Sequence, residues 1–226
     1  MKISHLITIT AYMVLAAIFF APSAYAADKG PITVGSKIDT EGALLGKMII
    51  KMLEQNGYEV VDKTEFGPTP IVRKAITSGE IDIYPDYTGN GAFFFSGQDP
   101  DIWKDFDKAY EKVKELDLEK NGLVWLQPAP ANNTWALAVR GDVADEHDLS
   151  TLNDFAEYVN SGGDVMLAAC EEFVTRSDAL PAFQKAYGFE IEDDEMIVFS
   201  GCNTAQTEKA AAQGTSGVNT AMAFGT

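Results

Sequence analysis

IDIYPDYTGN, running from Ile81 to Asn90, decides how this chain is read. Ile81 and Ile83 alternate with Asp82 and Tyr84, the period of a strand, and Thr88-Gly89-Asn90 is turn chemistry. A strand is therefore expected to deliver Tyr84, Asp86 and Tyr87 at its carboxyl end. In open α/β sheets the crevice outside those strand ends is where small molecules bind. Aromatic faces placed there suit a ligand that is cationic but poor in hydrogen-bond donors.

Upstream, Ile32 to Val34 reads as a strand, and Gly35-Ser36-Lys37 turns out of it toward a capped helix start at Asp39-Thr40. Leu44, Leu45, Met48, Ile49, Met52 and Leu53 recur at helical spacing until Gly57. Glu59 to Thr64 is a second strand. Thr69-Pro70 reads as an N-cap with proline at the first helical position, in a helix that reaches Ser78 and ends at Gly79. Strand, helix, strand, helix, strand at this spacing predicts a parallel sheet with helices on both faces, an α/β fold.

Downstream, Trp103, Phe106, Ala109, Tyr110 and Val113 predict an amphipathic helix, and Leu123 to Leu126 another strand. Pro128, Pro130 and Asn132-Asn133 punctuate the chain, so Gln127 to Asn133 is expected to cross between two lobes. A second alternating series follows. Its strands are Trp135 to Val139, Val165 to Ala169, Met196 to Phe199 and Val218 to Phe224. Its helices are Leu152 to Val159, Leu180 to Tyr187 and Ala205 to Gln213. This divides the chain into residues 27–133 and 134–226. Gly225-Thr226 resembles a turn leaving a strand, from which the chain is expected to be part of a longer protein.

Residues 1–26 read as a secretory signal: Lys2, a largely apolar Leu6 to Phe20, and the small-x-small site Ala24-Tyr25-Ala26. The apolar run is short for a membrane span, and no later stretch is apolar for long enough to cross a bilayer, so a soluble exported product is expected. Residues 1–26 hold one lysine and no acid, so their removal takes the formal charge from -17 to -18. A field of that sign repels nucleic acid and anionic lipid and favours approach of cations. Cys170 and Cys202 each follow an apolar run that looks like a strand, and in an oxidising compartment a disulfide between them is expected. With His5 in the signal and His147 in a charged loop as the only histidines, no metal site is expected. No nucleophile and base are arranged as an enzyme would need them.

Taken together, VGSKIDTEGALLG (34–46), IDIYPDYTGNGAFFF (81–95), PAPANNTWALAVR (128–140), DALPAFQKAYGF (178–189) and SGVNTAMAFGT (216–226) resemble the periplasmic substrate-binding proteins of ABC importers for osmoprotectants such as glycine betaine, choline and proline betaine. The likeness is greatest to the YehZ/OsmF-type subgroup. It implies a two-lobed clamshell of the type II periplasmic-binding class, with ligand held between the lobes and handed to a membrane permease. In that family the chain crosses between lobes twice and the last segment returns to lobe one; here the C-terminal return segment of lobe one is expected to be missing. The resemblance places Lys37 and Asn90 at the ligand's carboxylate end, where relatives often have threonine for Asn90. It places Tyr87, Trp135 and Phe224 in an aromatic cage, Phe224 standing where tyrosine is usual. Glu172 and Arg176 match a pair whose arginine clamps the carboxylate. It further implies a periplasmic monomer with no cofactor.

The chemistry fits a quaternary ammonium, which carries charge but no N–H and so cannot recover its desolvation through hydrogen bonds. Three rings would contribute roughly 2 to 6 kcal/mol by cation–π attraction. Micromolar affinity needs about 8 kcal/mol, so a carboxylate gripped by Arg176 and Lys37 would supply the rest. That favours a betaine over choline. The alternative is a binder of amino acids or polyamines, whose primary ammonium groups would need paired carboxylates such as Asp86 and Glu172.

Overall fold

The computed structural model describes residues 30–225, of which 32 onward form one compact unit. The secretory signal expected at 1–26 lies outside the described residues. Two sheets are present among the described residues. In the first, β1 (Ile32–Lys37) and β2 (Val60–Gly67) pair in parallel with Ile32 opposite Val60. Helix α1 (Thr40–Gln55) connects them, and the Asp39 carboxylate accepts from the Gly42 N–H at 2.7 Å to cap it.

Helix α2 (Thr69–Thr77) follows β2, and here the expected cap is corrected. Pro68, which offers no side-chain bond, precedes the helix, and Thr69 is its first residue. The Thr69 N–H donates instead to Glu172 Oε2 at 3.1 Å, so a carboxylate from far along the chain satisfies this helix start.

The strand expected at Ile81 is reduced to a single bridge, Val34 to Ile83. Asp82 is the physical reason on one side: its carboxylate takes the Thr33 N–H at 2.7 Å. Pro85 is the reason on the other, since it has no N–H to continue a ladder. Ile81 itself is buried among Val72 and Ala75. Gly35 makes that possible, because a Cβ there would meet Ile81 Cδ1 at 2.6 Å.

A 3-10 turn (Thr88–Asn90), the short helix α3 (Gly91–Phe94) and a second 3-10 turn (Pro100–Lys104) lead to α4 (Phe106–Asn121). The helix expected from Trp103 is thus two elements, divided at Asp105, whose carboxylate accepts from the Lys108 N–H at 3.0 Å. The strand expected at Leu123 to Leu126 does not form. Leu123 N–H donates to Asp117 O and the Trp125 indole N–H to the Asp117 carboxylate at 2.6 Å, which holds the segment to the end of α4. Val124 and Leu126 are left 70% and 69% exposed.

The second sheet has the order β3-β6-β4-β5, built from β3 (Thr134–Val139), β4 (Leu167–Cys170), β5 (Met196–Phe199) and β6 (Thr220–Gly225). It is mixed: β6 runs antiparallel to β3 and parallel to β4, and β5 is parallel to β4. Between the strands lie α5 (Gly141–Glu146), α6 (Leu152–Asn160), α7 (Glu171–Thr175), α8 (Leu180–Tyr187) and α9 (Thr204–Gln213). Strand alternation divides the core. Leu167 and Ala169 face Phe155, Phe173 and Leu180, whereas Ala168 faces Ala210, Val218 and Ala221. A disulfide joins Cys170, at the end of β4, to Cys202 in the loop before α9.

Candidate functional site

Asp86 organises the turn that follows Ile83. Its carboxylate, 3% exposed, accepts from Tyr84 Oη at 2.5 Å, from the Tyr87 N–H at 2.8 Å and from Asn90 Nδ2 at 2.6 Å. Lys37, at the end of β1, adds its ammonium at 3.7 Å. A buried carboxylate so surrounded keeps its charge satisfied and fixes the rotamers around it. Burial first and the adjacent Asp86 charge second push the Tyr84 phenol above its ordinary range, so it stays a donor.

Lys37 Nζ also lies 4.3 Å from the centroid of the Tyr87 ring, a cation on an aromatic face. Among the described residues the buried Tyr87 hydroxyl finds no well-formed hydrogen bond, and neither does Asn133 Oδ1. Burial, mainly, raises the Tyr87 phenol above its ordinary range, with Glu41 and Asp39 adding to the effect against the opposing influence of Asn133. Asn133 Nδ2 donates to Glu41 Oε2 at 2.8 Å, which fixes the chain two residues before Trp135.

Arg176, just past α7, binds three partners. Its Nε and Nη2 donate to the two oxygens of Asp178 at 2.7 Å each, and Nη1 donates to Glu172 Oε1 at 2.8 Å. Nη2 also donates to Asn90 Oδ1 at 3.0 Å, so Asn90 bridges Asp86 and Arg176 through its two ends. The guanidinium stands 5.2 Å from the Phe93 ring centroid. Burial works to lower the Arg176 pKa, but the carboxylates of Asp178 and Glu172 outweigh it and the net direction is upward. Burial works to raise that of Asp178, and the bonded guanidinium outweighs it, leaving the carboxyl below its usual range.

The rings divide. Trp135 of β3 and Phe224 of β6 are register partners and stack, with centroids 4.7 Å apart and planes 29° apart. Trp135 also meets Phe173 of α7 at 5.2 Å. Among the described residues no ring contact joins Tyr87 to that pair. Of the residues singled out from the sequence, Lys37 and Tyr87 therefore meet, Asn90, Glu172 and Arg176 meet, and Trp135 and Phe224 meet.

Asp86, Asp178, Asn133 and Glu41 also shape this region. Asp86 and Asp178 stand inside stretches already quoted, and their signal was an acid two to four residues from a polar site residue. Asn133 and Glu41 stand inside quoted stretches too, Glu41 four residues from Lys37, but that these two meet depends on tertiary structure. Two shallow surface hollows, one lined by Lys108 and Glu111 and one by His147 and Asp154, include none of these residues.

Residues 30–224 match the family described as the substrate binding domain of ABC-type glycine betaine transport system. The glycine betaine-binding protein YehZ of Escherichia coli strain K12 is 59% identical over 196 residues, 87% of this chain and 64% of that protein. A glycine-betaine-binding protein of Pseudomonas aeruginosa is 32% identical over 163 residues, 70% of this chain and 51% of that protein. The chain thus spans less than two thirds of the length of either relative. The solved structure of apo YehZ from Escherichia coli superposes with a TM-score of 0.56 at 58% identity, covering 87% of this chain and 70% of that one.

Proposed function

The chain belongs to the family of substrate-binding domains of ABC-type glycine betaine transport systems, and from that premise we propose that it captures a quaternary ammonium osmoprotectant, glycine betaine or a related betaine or choline, and delivers it to a membrane permease. It does so in the periplasm, as a monomer, after its signal is cleaved, and it performs no chemistry on the solute. The two sheets are the centres of two lobes, residues 27–133 and 134–226, which Gln127 to Asn133 connects. The onium head lies among Tyr87, Trp135 and Phe224, and Lys37, Asn90 and Arg176 meet the acidic tail. To the extra length of the relatives we assign the return segment of lobe one, which would cover Leu44, Met48 and Met52 of α1, 60%, 53% and 64% exposed, together with Val124 and Leu126.

One observation carries this reading: the polar chain from Lys37 through Asp86 and Asn90 to Arg176. It connects the turn after Ile83 to the end of α7, whose Phe173 meets Trp135 of the stacked pair. Ligand favours closure only through contacts that the open form lacks, and this chain of bonds runs from β1 to the residue just past α7, the helix that follows β4. The carboxylates Asp86, Glu172 and Asp178 outnumber Lys37 and Arg176 here, an observation that favours a second reading, a binder of amino acids or polyamines. Titration calorimetry with glycine betaine, choline, arginine and spermidine separates the two. Heat with the trimethylated solutes alone is expected; heat with arginine or spermidine alone would overturn the first reading in favour of the second.

A further inference from the structure

An arginine offers five N–H donors. Four bonds already engage Arg176: two to Asp178, one to Glu172 and one to Asn90. The Asp178 bonds use Nε and Nη2 side by side, the two-pronged geometry that a ligand carboxylate would itself adopt. A carboxylate approaching this face of the guanidinium meets a fellow anion in its place, and two carboxylates cannot share the fork without repulsion. A cation without a carboxylate meets no such competitor.

We propose that Asp178 is a specificity-determining residue that occupies the Arg176 fork and so lowers the preference of the site for carboxylate-bearing solutes relative to carboxylate-free onium ions. This rests on the assignment of Arg176 to the acidic tail of the ligand. Glu172 is differently placed: its second oxygen accepts the Thr69 N–H, so it is committed to the start of α2, and its side chain is 10% exposed. Among the described residues the Asp178 side chain bonds no other side chain than Arg176, with its own backbone N–H beside it, and is 40% exposed. It can therefore swing into water when a ligand carboxylate displaces it, and the cost of that displacement falls on betaines alone.

The test is titration calorimetry of the wild-type chain, Asp178→Asn and Asp178→Ser with glycine betaine and with choline, each variant being checked by circular dichroism. Loss of one charge-assisted competitor corresponds to about a tenfold gain in glycine betaine affinity. Choline affinity is expected to stay within about twofold, because its hydroxyl does not contend for the fork. A purely structural role would move both solutes together. Both solutes binding with an unchanged ratio in both variants would overturn the role of Asp178 while leaving the transport reading intact. Neither solute binding to any of the three proteins would overturn the transport reading and the role of Asp178 with it.

Discussion

Tyr87 is the residue at which ring and hydroxyl can be told apart. Among the described residues the hydroxyl is buried without a well-formed hydrogen bond, with Asn133 and Glu41 near enough only to shift its ionisation, so a substitution there removes little. Tyr87→Phe is expected to keep solute affinity within about twofold. Tyr87→Leu removes the π face and is expected to weaken binding by about 2- to 30-fold, read by the same titration. Asp117 makes a different point. It is fully buried and accepts from both terminal nitrogens of Arg73, from Asn121 Nδ2 and from the Trp125 indole. Burial works to lower the Arg73 pKa, and Asp117 outweighs it. Asp117→Ala leaves that guanidinium unpaired in a dry setting and is expected to cost about 3 to 5 kcal/mol, measured by urea unfolding. The ring of Tyr87 was singled out from the sequence, whereas the role of Asp117 was not. Asp117 sits near the end of a helix rich in charged residues, and only the fold turns it inward toward Arg73.

Among the elements, the disulfide gives the sharpest prediction. Cys170 and Cys202 are separated by 32 residues and tie a central strand to the entry of α9. Closing a loop of that length stabilises by about 3 to 4 kcal/mol in the chain-entropy account, and Cys202→Ser is expected to lower unfolding stability by that amount. What the sequence made legible follows the same physics. Helix α1 announced itself through periodicity and its cap, which are local, and α6, α8 and α9 through their place in an alternating series. Strands β4 and β5 both stood out as short apolar runs, but only β4 is buried on both sides; β5 lies at the sheet edge with Val198 47% exposed. The misreadings at Ile81 and at Leu123 came from the same source: alternation shows that a segment could pair, but a strand exists only where a neighbour supplies the ladder. Side chains decided both cases, Asp82 by taking a backbone donor and Trp125 by anchoring to α4. The antiparallel β3 was not foreseeable either, since direction within a sheet depends on where the chain enters it.

At the scale of the whole molecule, charge is the controlling quantity. A formal charge of -17 gives a field that draws cations and is screened beyond about 30 Å at 0.01 M salt but beyond about 8 Å at 0.15 M. The association rate of choline is expected to fall several-fold between those salt concentrations, whereas that of glycine betaine, which has no net charge, changes little in stopped-flow measurements. Equal salt dependence for both would remove steering from the account. The placement of the indoles has a practical corollary. Trp103 presses on Gly91 so closely that a Cβ there would meet its ring at 2.1 Å, and Trp125 is tethered to Asp117. Two of the 3 chromophores that dominate near-ultraviolet emission are therefore a steady background, and a spectral shift on adding solute carries the address of the third, lying against Phe224.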